Sequence, residues 1–304
     1  MKVEKQPFWR IQAFINSLLL FSLTLAPVQA QTTSVIEEIR RTGLLRVAVR
    51  EDAVPFGYRD LNDNWTGICI DFIEILKNQV IQELNQPIIL VKLFKSTLFN
   101  RFELVSDQVV YLECGPNTIR QDPPQEIAFS NPIFLTGTQF LIRADDRGRF
   151  RSNRSFKGLV IGGLRNTTNL RFVAEKYPQA TIQEFQGTTG RLRGVQALQQ
   201  GKIDAFASDG ILLIGEALLQ NLSLGREYLI YPKYPLDCEE YGLIIPQDDP
   251  QWQRLVNTAI ANPATKEVYK KWIGPVFPAV EQTQNYCRQV DGSAVPDDEP
   301  DSEQ

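Results

Sequence analysis

Predicted strands and helices alternate along most of this chain, and this order constrains the fold more than any other feature. Residues 44–49 form a short apolar run with the length of a buried strand. Hydrophobic residues recur every three or four positions over 69–84, which is typical of an amphipathic helix. Further strands are predicted at 88–94 and 109–113. Strand–helix–strand order of this kind predicts a largely parallel sheet that is covered by helices.

The same alternation begins again after an apolar strand at 138–143. Strands are then predicted at 159–163, 181–185 and 203–207. A last strand at 241–245 and helices near 252–260 and 266–272 return to the first half. We therefore predict an α/β fold of two lobes, each a mostly parallel sheet flanked by helices, with a two-strand hinge near 136–143 and 238–246. The predicted boundaries are 31–138 plus 242–278 for the first lobe, 139–241 for the second, and 279–304 for a C-terminal extension.

The two ends of the chain differ from this globular body. Basic residues precede an apolar run centred on 18–25, and small residues follow at 28–30, which is the pattern of a secretory signal peptide at 1–30. A membrane helix is the alternative, but the run is short for one. We expect cleavage after Ala30 and export to the periplasm. Residues 291–304 hold six acids and no base, which predicts a disordered acidic tail.

Composition excludes several classes of function. The 304 residues include no histidine, which rules out Ser-His-Asp catalysis, an HExxH metal site and a histidine pH switch. A net charge of −4 argues against non-specific binding of nucleic acid. No CxxC spacing is present, and the sequence predicts no metal and no cofactor.

Four cysteines in an exported chain suggest disulfides, and four allow three pairings. We favour Cys69 with Cys114 and Cys238 with Cys287, because each pair is close in sequence. Buried free thiols at Cys69 and Cys114 are the alternative.

Several side chains that suit an anionic ligand follow the predicted strands. In open α/β sheets, ligands bind beyond the carboxyl ends of the strands. The arginines there could each hold a carboxylate through two parallel bonds, although a lone arginine is more often a plain surface residue. Thr167 and Thr168 stand at the start of a helix, where they could bind an anion or simply cap the helix. Asp209 could hold an ammonium group or cap its own helix. The candidates are Arg50, Arg101, Arg120, Arg191, Thr167, Thr168 and Asp209, with Phe56 as a wall of the cleft.

Several of these segments occur together in one known family. Three parts of the chain match it most closely. They are Glu-Cys-Gly at 113–115 with Ala-Phe-Ser-Asn at 128–131, the threonine pair at 167–168, and Ala-Phe-Ala-Ser-Asp at 205–209. Over about residues 35–276 the chain resembles the bacterial extracellular solute-binding proteins of the amino-acid-binding type (family 3), specifically the periplasmic glutamate/aspartate-binding proteins of ABC importers. The resemblance implies the two-lobed periplasmic-binding-protein fold of type II.

The resemblance also implies roles for individual residues. Arg50 and Arg101 match positions that hold the side-chain carboxylate of the ligand. Thr118 matches a hydroxyl contact from the first lobe, Thr167 and Thr168 match an anion-binding turn, Arg191 matches a basic residue of the second lobe, and Asp209 matches the partner of the ammonium group. Pro123 and Pro116 depart from the family, because they stand where it has an arginine for the α-carboxylate and a serine contact. Arg120 could replace the missing arginine from a different angle.

We therefore expect a monomeric, non-enzymatic binding protein. It would close its lobes on a small acidic amino acid or related anion and deliver it to an ABC permease. One alternative is an enzyme on the same fold, a dehydratase or a lytic-transglycosylase-like protein, whose acid or base would have to be Glu51, Asp52 or Glu113. Another is a ligand-sensing subunit of a signalling receptor.

Overall fold

The computed structural model describes Met1 and residues 34–290, apart from Leu61, Gln125 and Asn153. Met1 aside, the predicted signal peptide lies outside the described residues, and so does the predicted acidic tail at 291–304. No helix of the described part has the length and apolar character needed to cross a membrane.

The first part of the chain builds one sheet and its helices, which we call lobe 1. Its elements are α1 (Val35–Thr42), β1 (Leu44–Arg50), β2 (Asp52–Ala53), β3 (Gly57–Arg59), β4 (Trp65–Thr66), α2 (Ile68–Leu84), β5 (Leu90–Ser96), α3 (Glu103–Ser106), β6 (Leu112–Thr118), β7 (Ile127–Phe129) and β8 (Phe134–Thr136). The main sheet has the order β5-β1-β6, in which β1 is parallel to both neighbours. Strands β2 to β4 form a separate small antiparallel sheet.

The middle part builds a second sheet with its own helices, which we call lobe 2. Its elements are β9 (Thr138–Arg143), α4 (Arg147–Ser152), β10 (Val160–Leu164), α5 (Thr168–Lys176), β11 (Thr181–Phe185), α6 (Gly190–Gln199), β12 (Ala205–Asp209), α7 (Gly210–Leu219) and β13 (Tyr228–Tyr231). The order is β11-β10-β12-β9-β13, with β10 parallel to β11 and β12, and β9 antiparallel to its neighbours. Buried apolar side chains pack on both faces of this sheet.

The chain then returns to lobe 1. The returning elements are β14 (Glu239–Pro246), α8 (Pro250–Ala261), α9 (Pro263–Ile273) and α10 (Phe277–Val290). Strand β14 pairs antiparallel with β6, β7 and β8 and so completes the first sheet. The predicted α/β class with two mostly parallel, helix-flanked sheets is confirmed.

The second lobe boundary differs from the sequence expectation. Residues 239–241 were assigned to lobe 2, but they pair with β8 and belong to the sheet of lobe 1. The chain crosses between the sheets at Gly137 and again over 232–238. The two crossings touch, because a Cβ atom on Gly137 would lie 1.9 Å from the Asp237 carbonyl oxygen. Only glycine allows that approach.

One carboxylate fastens the returning helices to the first helix. Ser34 stands at the N-cap position of α1 and has a side chain of the usual capping type, but its hydroxyl donates to Asp249 instead. Asp249 accepts the Val35 N–H at 2.6 Å and the Trp252 N–H at 2.9 Å, so it caps both α1 and α8. The carboxylate thus satisfies an N–H group at the start of α1, and the Ser34 side chain makes no capping bond of its own.

One disulfide joins a helix to a strand, and the other joins a helix to the second crossing. Cys69 of α2 is bonded to Cys114 of β6, and Cys238 of the second crossing is bonded to Cys287 of α10. This is the pairing favoured from the sequence, and no described cysteine is free.

Candidate functional site

A cavity of about 760 Å³ lies between the two lobes. It meets the carboxyl ends of β1, β6, β10 and β12, where an open α/β sheet presents its ligand-binding groups. Eight of the nine predicted ligand residues line it: Arg50, Arg101, Thr118, Arg120, Thr167, Thr168, Arg191 and Asp209.

Arg50, the last residue of β1, is almost fully buried at 1% exposure. Its Nε and Nη2 atoms donate to the two oxygens of Asp52 at 2.7 and 2.9 Å. This bidentate pair neutralises most of its charge within lobe 1. Arg50 therefore borders the cavity with part of its donors already engaged, whereas the sequence expectation had it gripping the ligand directly.

Arg101 is the arginine of lobe 1 with spare donors. Its Nη1 atom donates to the Asn117 amide oxygen at 3.0 Å, and its buried Nε has no acceptor among the described residues. Loss of water around the guanidinium, together with the nearby charges of Arg50 and Arg120, lowers the pKa of Arg101 to about 10, while Glu113 opposes the shift. Arg101 stays protonated at neutral pH, and together with the charges of Arg50 and Arg120 it makes this part of the cavity favourable for an anion.

Arg120 lies beside Arg101 on the same aromatic ring. The guanidinium carbons of Arg101 and Arg120 are 4.7 and 4.8 Å from the centre of the Phe102 ring. Within the described part of the chain, Arg120 forms no salt bridge. The pair supplies two neighbouring positive charges.

Buried polar residues hold these arginines in place. Glu113 is fully buried and accepts hydrogen bonds from Ser96 at 2.6 Å and from the Asn117 amide at 2.5 Å. Burial raises the pKa of Glu113, and Ser96, Arg50 and Arg101 oppose the shift. Strand β6 thus runs through polar residues to Thr118, beyond the predicted end at 113, because each buried polar group has a partner.

The turn between β10 and α5 supplies the hydroxyl groups of lobe 2. Thr167 accepts the Leu170 N–H at 3.3 Å and donates to the Leu164 carbonyl at 2.7 Å, so its hydroxyl caps α5. Thr168 instead reaches across the cavity, and its hydroxyl oxygen lies 3.3 Å from that of Thr118 in lobe 1. The helix-cap alternative therefore describes the Thr167 side chain, and Thr168 is the one directed at the other lobe.

Arg191 and Asp209 supply the charges of lobe 2. Arg191 is 3% exposed, donates to the Ser208 hydroxyl at 2.6 Å, and keeps a buried Nε with no acceptor among the described residues. Asp209 stands at the N-cap position of α7 but makes no capping bond, and it accepts the Asn169 amide at 3.2 Å. The N-cap alternative for Asp209 is therefore not what its side chain does.

The Asp209 carboxylate forms no salt bridge with any residue that the structure describes. Burial and the charge of Asp237 raise its pKa to about 6, whereas Tyr241, Asn169 and Arg191 lower it. A buried carboxylate without a paired cation is costly. A ligand ammonium group placed here would remove that cost, which suits the role suggested by the resemblance.

Phe56 does not line the cavity. Its ring is fully buried and makes edge contacts with Phe134 and Tyr241, with centroids 5.4 Å apart in both cases. It belongs to the hydrophobic core of lobe 1 rather than to the wall of the cleft. The Phe56 ring therefore packs in an apolar core, as aromatic rings usually do, and does not contact the cleft.

Two acids near the cavity were not predicted as site residues. Asp237 lies in the second crossing and Glu239 begins β14, and both interact electrostatically with Asp209. Their pattern in the sequence, Asp-Cys-Glu-Glu before an apolar strand, reads as a surface loop. Only the geometry of the crossing brings these two acids close to Asp209.

Comparison with known proteins identifies the family. The family model described as bacterial extracellular solute-binding proteins, family 3, matches residues 45–275. The glutamate/aspartate import solute-binding protein of Escherichia coli (strain K12) is 27% identical over 246 residues, which cover 80% of each chain. A cyclohexadienyl dehydratase of Pseudomonas aeruginosa is 23% identical over 241 residues, 79% of this chain and 83% of that protein.

A solved structure shares the fold. The ancestral amino acid-binding protein AncCDT-1, a precursor of cyclohexadienyl dehydratase, superposes with a TM-score of 0.66 at 21% identity, covering 79% of this chain and 99% of that one. The family match spans every predicted ligand residue and three quarters of the chain. The chain therefore belongs to the bacterial extracellular solute-binding proteins of family 3.

Proposed function

We propose that this protein captures a small acidic amino acid of the glutamate or aspartate type in the periplasm, by closing its lobes, and delivers it to an ABC permease. The observation that carries the proposal is the charge arrangement of the cavity. Arg101 and Arg120 stand together on lobe 1, and Asp209 stands on lobe 2, each without a salt-bridge partner in the described part of the chain. An amino acid with two carboxylates and one ammonium group complements this arrangement.

The energetics are adequate for transport. A charge-assisted hydrogen bond contributes roughly 1.5–3 kcal/mol, and a micromolar site needs about 8 kcal/mol after ordering costs. Three or four such bonds suffice. Arg101 and Arg191 each keep a buried Nε without an acceptor among the described residues, so ligand carboxylates would also satisfy donors that the protein leaves unpaired.

The enzyme alternative has weaker support. Of the three acids considered for catalysis, Asp52 pairs with Arg50, Glu51 pairs with Lys95 and Arg59, and Glu113 is buried in its own hydrogen bonds. None of the three lines the cavity. A general acid or base must reach the ligand, and these do not.

Export and the permease are inferred from the family and the N-terminal sequence. The Escherichia coli relative is named as an import protein, and the predicted signal peptide would export this chain from the cytoplasm. Co-purification with an ABC permease would distinguish transport from a sensing role.

Isothermal titration calorimetry against common acidic, neutral and basic amino acids tests the proposal. We expect heat with glutamate or aspartate, lost in Arg101→Gln and Asp209→Asn but kept in the control Arg226→Ala, whose side chain is 79% exposed. Silence for every anion, with binding of a neutral or basic amino acid, would overturn it.

A further inference from the structure

Glu239 joins the two lobes directly behind the ligand cavity. The Thr118 hydroxyl of lobe 1 donates to Glu239 Oε2 at 2.7 Å, and the Thr168 hydroxyl of lobe 2 is close enough to lower the pKa of this carboxyl group. The two threonine hydroxyls lie 3.3 Å apart and line the cavity, whereas Glu239 does not. Glu239 therefore acts on the ligand site through Thr118 and Thr168.

The two charges that act most strongly on Glu239 are negative. They come from Asp209, at the end of β12, and from Asp237, in the second crossing. Asp237 is itself held by the Thr138 N–H at 2.6 Å and the Thr138 hydroxyl at 3.1 Å. Asn169 donates both to the Thr138 hydroxyl and to Asp209, so one hydrogen-bond network connects the crossing with the cavity.

These surroundings favour the protonated carboxyl group. Burial, followed by the charges of Asp209 and Asp237, raises the pKa of Glu239 to about 8, and the bonds from Thr168 and Thr118 only partly oppose the shift. With the ammonium site empty, most Glu239 side chains hold a proton at pH 7. A positive charge beside Asp209 would cancel part of the repulsion and favour the carboxylate.

We propose that Glu239 is a positioning residue that loses a proton when a ligand ammonium group binds at Asp209, and that its carboxylate then draws Thr118 and Thr168 together across the closed cleft. The inference rests on the proposed function, because it needs an ammonium-bearing ligand. The proton leaves Glu239 for solvent, so capture consumes the ligand and the open protein and yields the closed complex plus one proton. Affinity therefore increases with pH.

The size of the effect follows from linkage. If Glu239 titrates near pH 8 without ligand and is ionised in the complex, the affinity at pH 6 is about 50-fold lower than at pH 8. Glu239→Gln keeps the shape and hydrogen-bonding capacity of the protonated side chain. In this variant, which cannot ionise, we expect an affinity that is nearly flat between pH 6 and 8 and lower than the wild-type value throughout that range.

Calorimetry with glutamate and aspartate at pH 6, 7 and 8, in buffers of different ionisation enthalpy, counts the protons released. The wild type should release close to one proton at pH 7, and Glu239→Gln close to none. The control Glu240→Gln removes an equal charge one residue away on an exposed side chain and should behave as the wild type. Binding without proton release, or the same pH profile in wild type and Glu239→Gln, would overturn the inference.

A ligand-free measurement separates this inference from the proposed function. Carboxyl ¹³C NMR of glutamate-labelled protein, with Glu239 assigned by its loss in Glu239→Gln, gives its titration midpoint directly. Absence of binding heat with every amino acid would refute the proposed function. A Glu239 midpoint near the ordinary value of 4.5 would refute the inference even if ligands bind.

Discussion

Arg101 offers a prediction in which binding and stability change in opposite directions. The residue is buried among the positive charges of Arg50 and Arg120, and its pKa falls below its usual range to about 10. A depressed pKa on a cation means that the charged form is disfavoured in the folded state throughout the neutral range. Such a shift corresponds to about 3 kcal/mol in a dry site, and to about 1–2 kcal/mol once the partial exposure of this side chain is considered.

We therefore expect Arg101→Gln to remove binding while leaving the fold intact. Glutamine can still donate to Asn117, which limits the cost of the lost hydrogen bond to about 1 kcal/mol. Loss of one or two charge-assisted bonds to the ligand should weaken glutamate binding by roughly 100-fold or more. The ligand-free variant should have an unfolding free energy equal to that of the wild type, or higher by about 1 kcal/mol.

Urea denaturation of the ligand-free protein and calorimetry on the same preparations measure the two effects. Arg226→Ala serves as the control for removing an arginine from the surface of lobe 2. A fall of more than about 2 kcal/mol in the unfolding free energy of Arg101→Gln would show that Arg101 supports the fold. Unchanged binding would refute its place in the ligand site.

Three further predictions concern the acids and the hinge. Asp209→Asn should weaken glutamate binding by roughly 50-fold or more in calorimetry, yet raise the thermal midpoint, because it removes a buried carboxylate whose pKa is raised to about 6. The unfolding free energy of the ligand-free protein should fall by about 1–2 kcal/mol from pH 6 to pH 8 in chemical denaturation, because the raised pKa of Glu239 means that the folded state binds more protons than the unfolded state. Glu239→Gln should flatten this profile, and an unfolding free energy that rises with pH would contradict the reasoning. Replacing Cys238 and Cys287 by serine opens a loop of 49 residues and should lower the unfolding free energy by about 4 kcal/mol, whereas an unchanged value would mean that α10 is held by packing alone.

The sequence was informative where one local pattern decides one element. Strand β11 was predicted at its observed bounds, and the apolar runs of β1 and β10 were placed within a residue or two. The ends of these strands then located most of the cavity, because topology alone brings carboxyl ends of parallel strands to one edge. Arg101, Arg191 and Asp209 were found in this way, with the family resemblance supplying their roles.

Contacts between distant segments decided the rest. Glu239 is distant in sequence from both Thr118 and Thr168, and nothing near it indicates that a hinge would bring it behind the ligand site. Ser34 looked like a local cap, but Asp249, 215 positions later in the chain, takes the N–H of the helix start. The hydrogen-bond partner that such a side chain takes depends on which acceptor the fold brings close to it, and local sequence propensity does not contain that information.

Glutamate, glutamine and glutarate form a matched set for the central claim that the cavity recognises an acidic amino acid by charges at both ends. Glutamine lacks the side-chain carboxylate that the arginine pair would hold, and glutarate lacks the ammonium group that Asp209 would hold. Calorimetric titration at pH 8 should give the highest affinity for glutamate, with roughly 100-fold weaker binding of each of the other two. Equal or tighter binding of glutamine or glutarate would contradict the account.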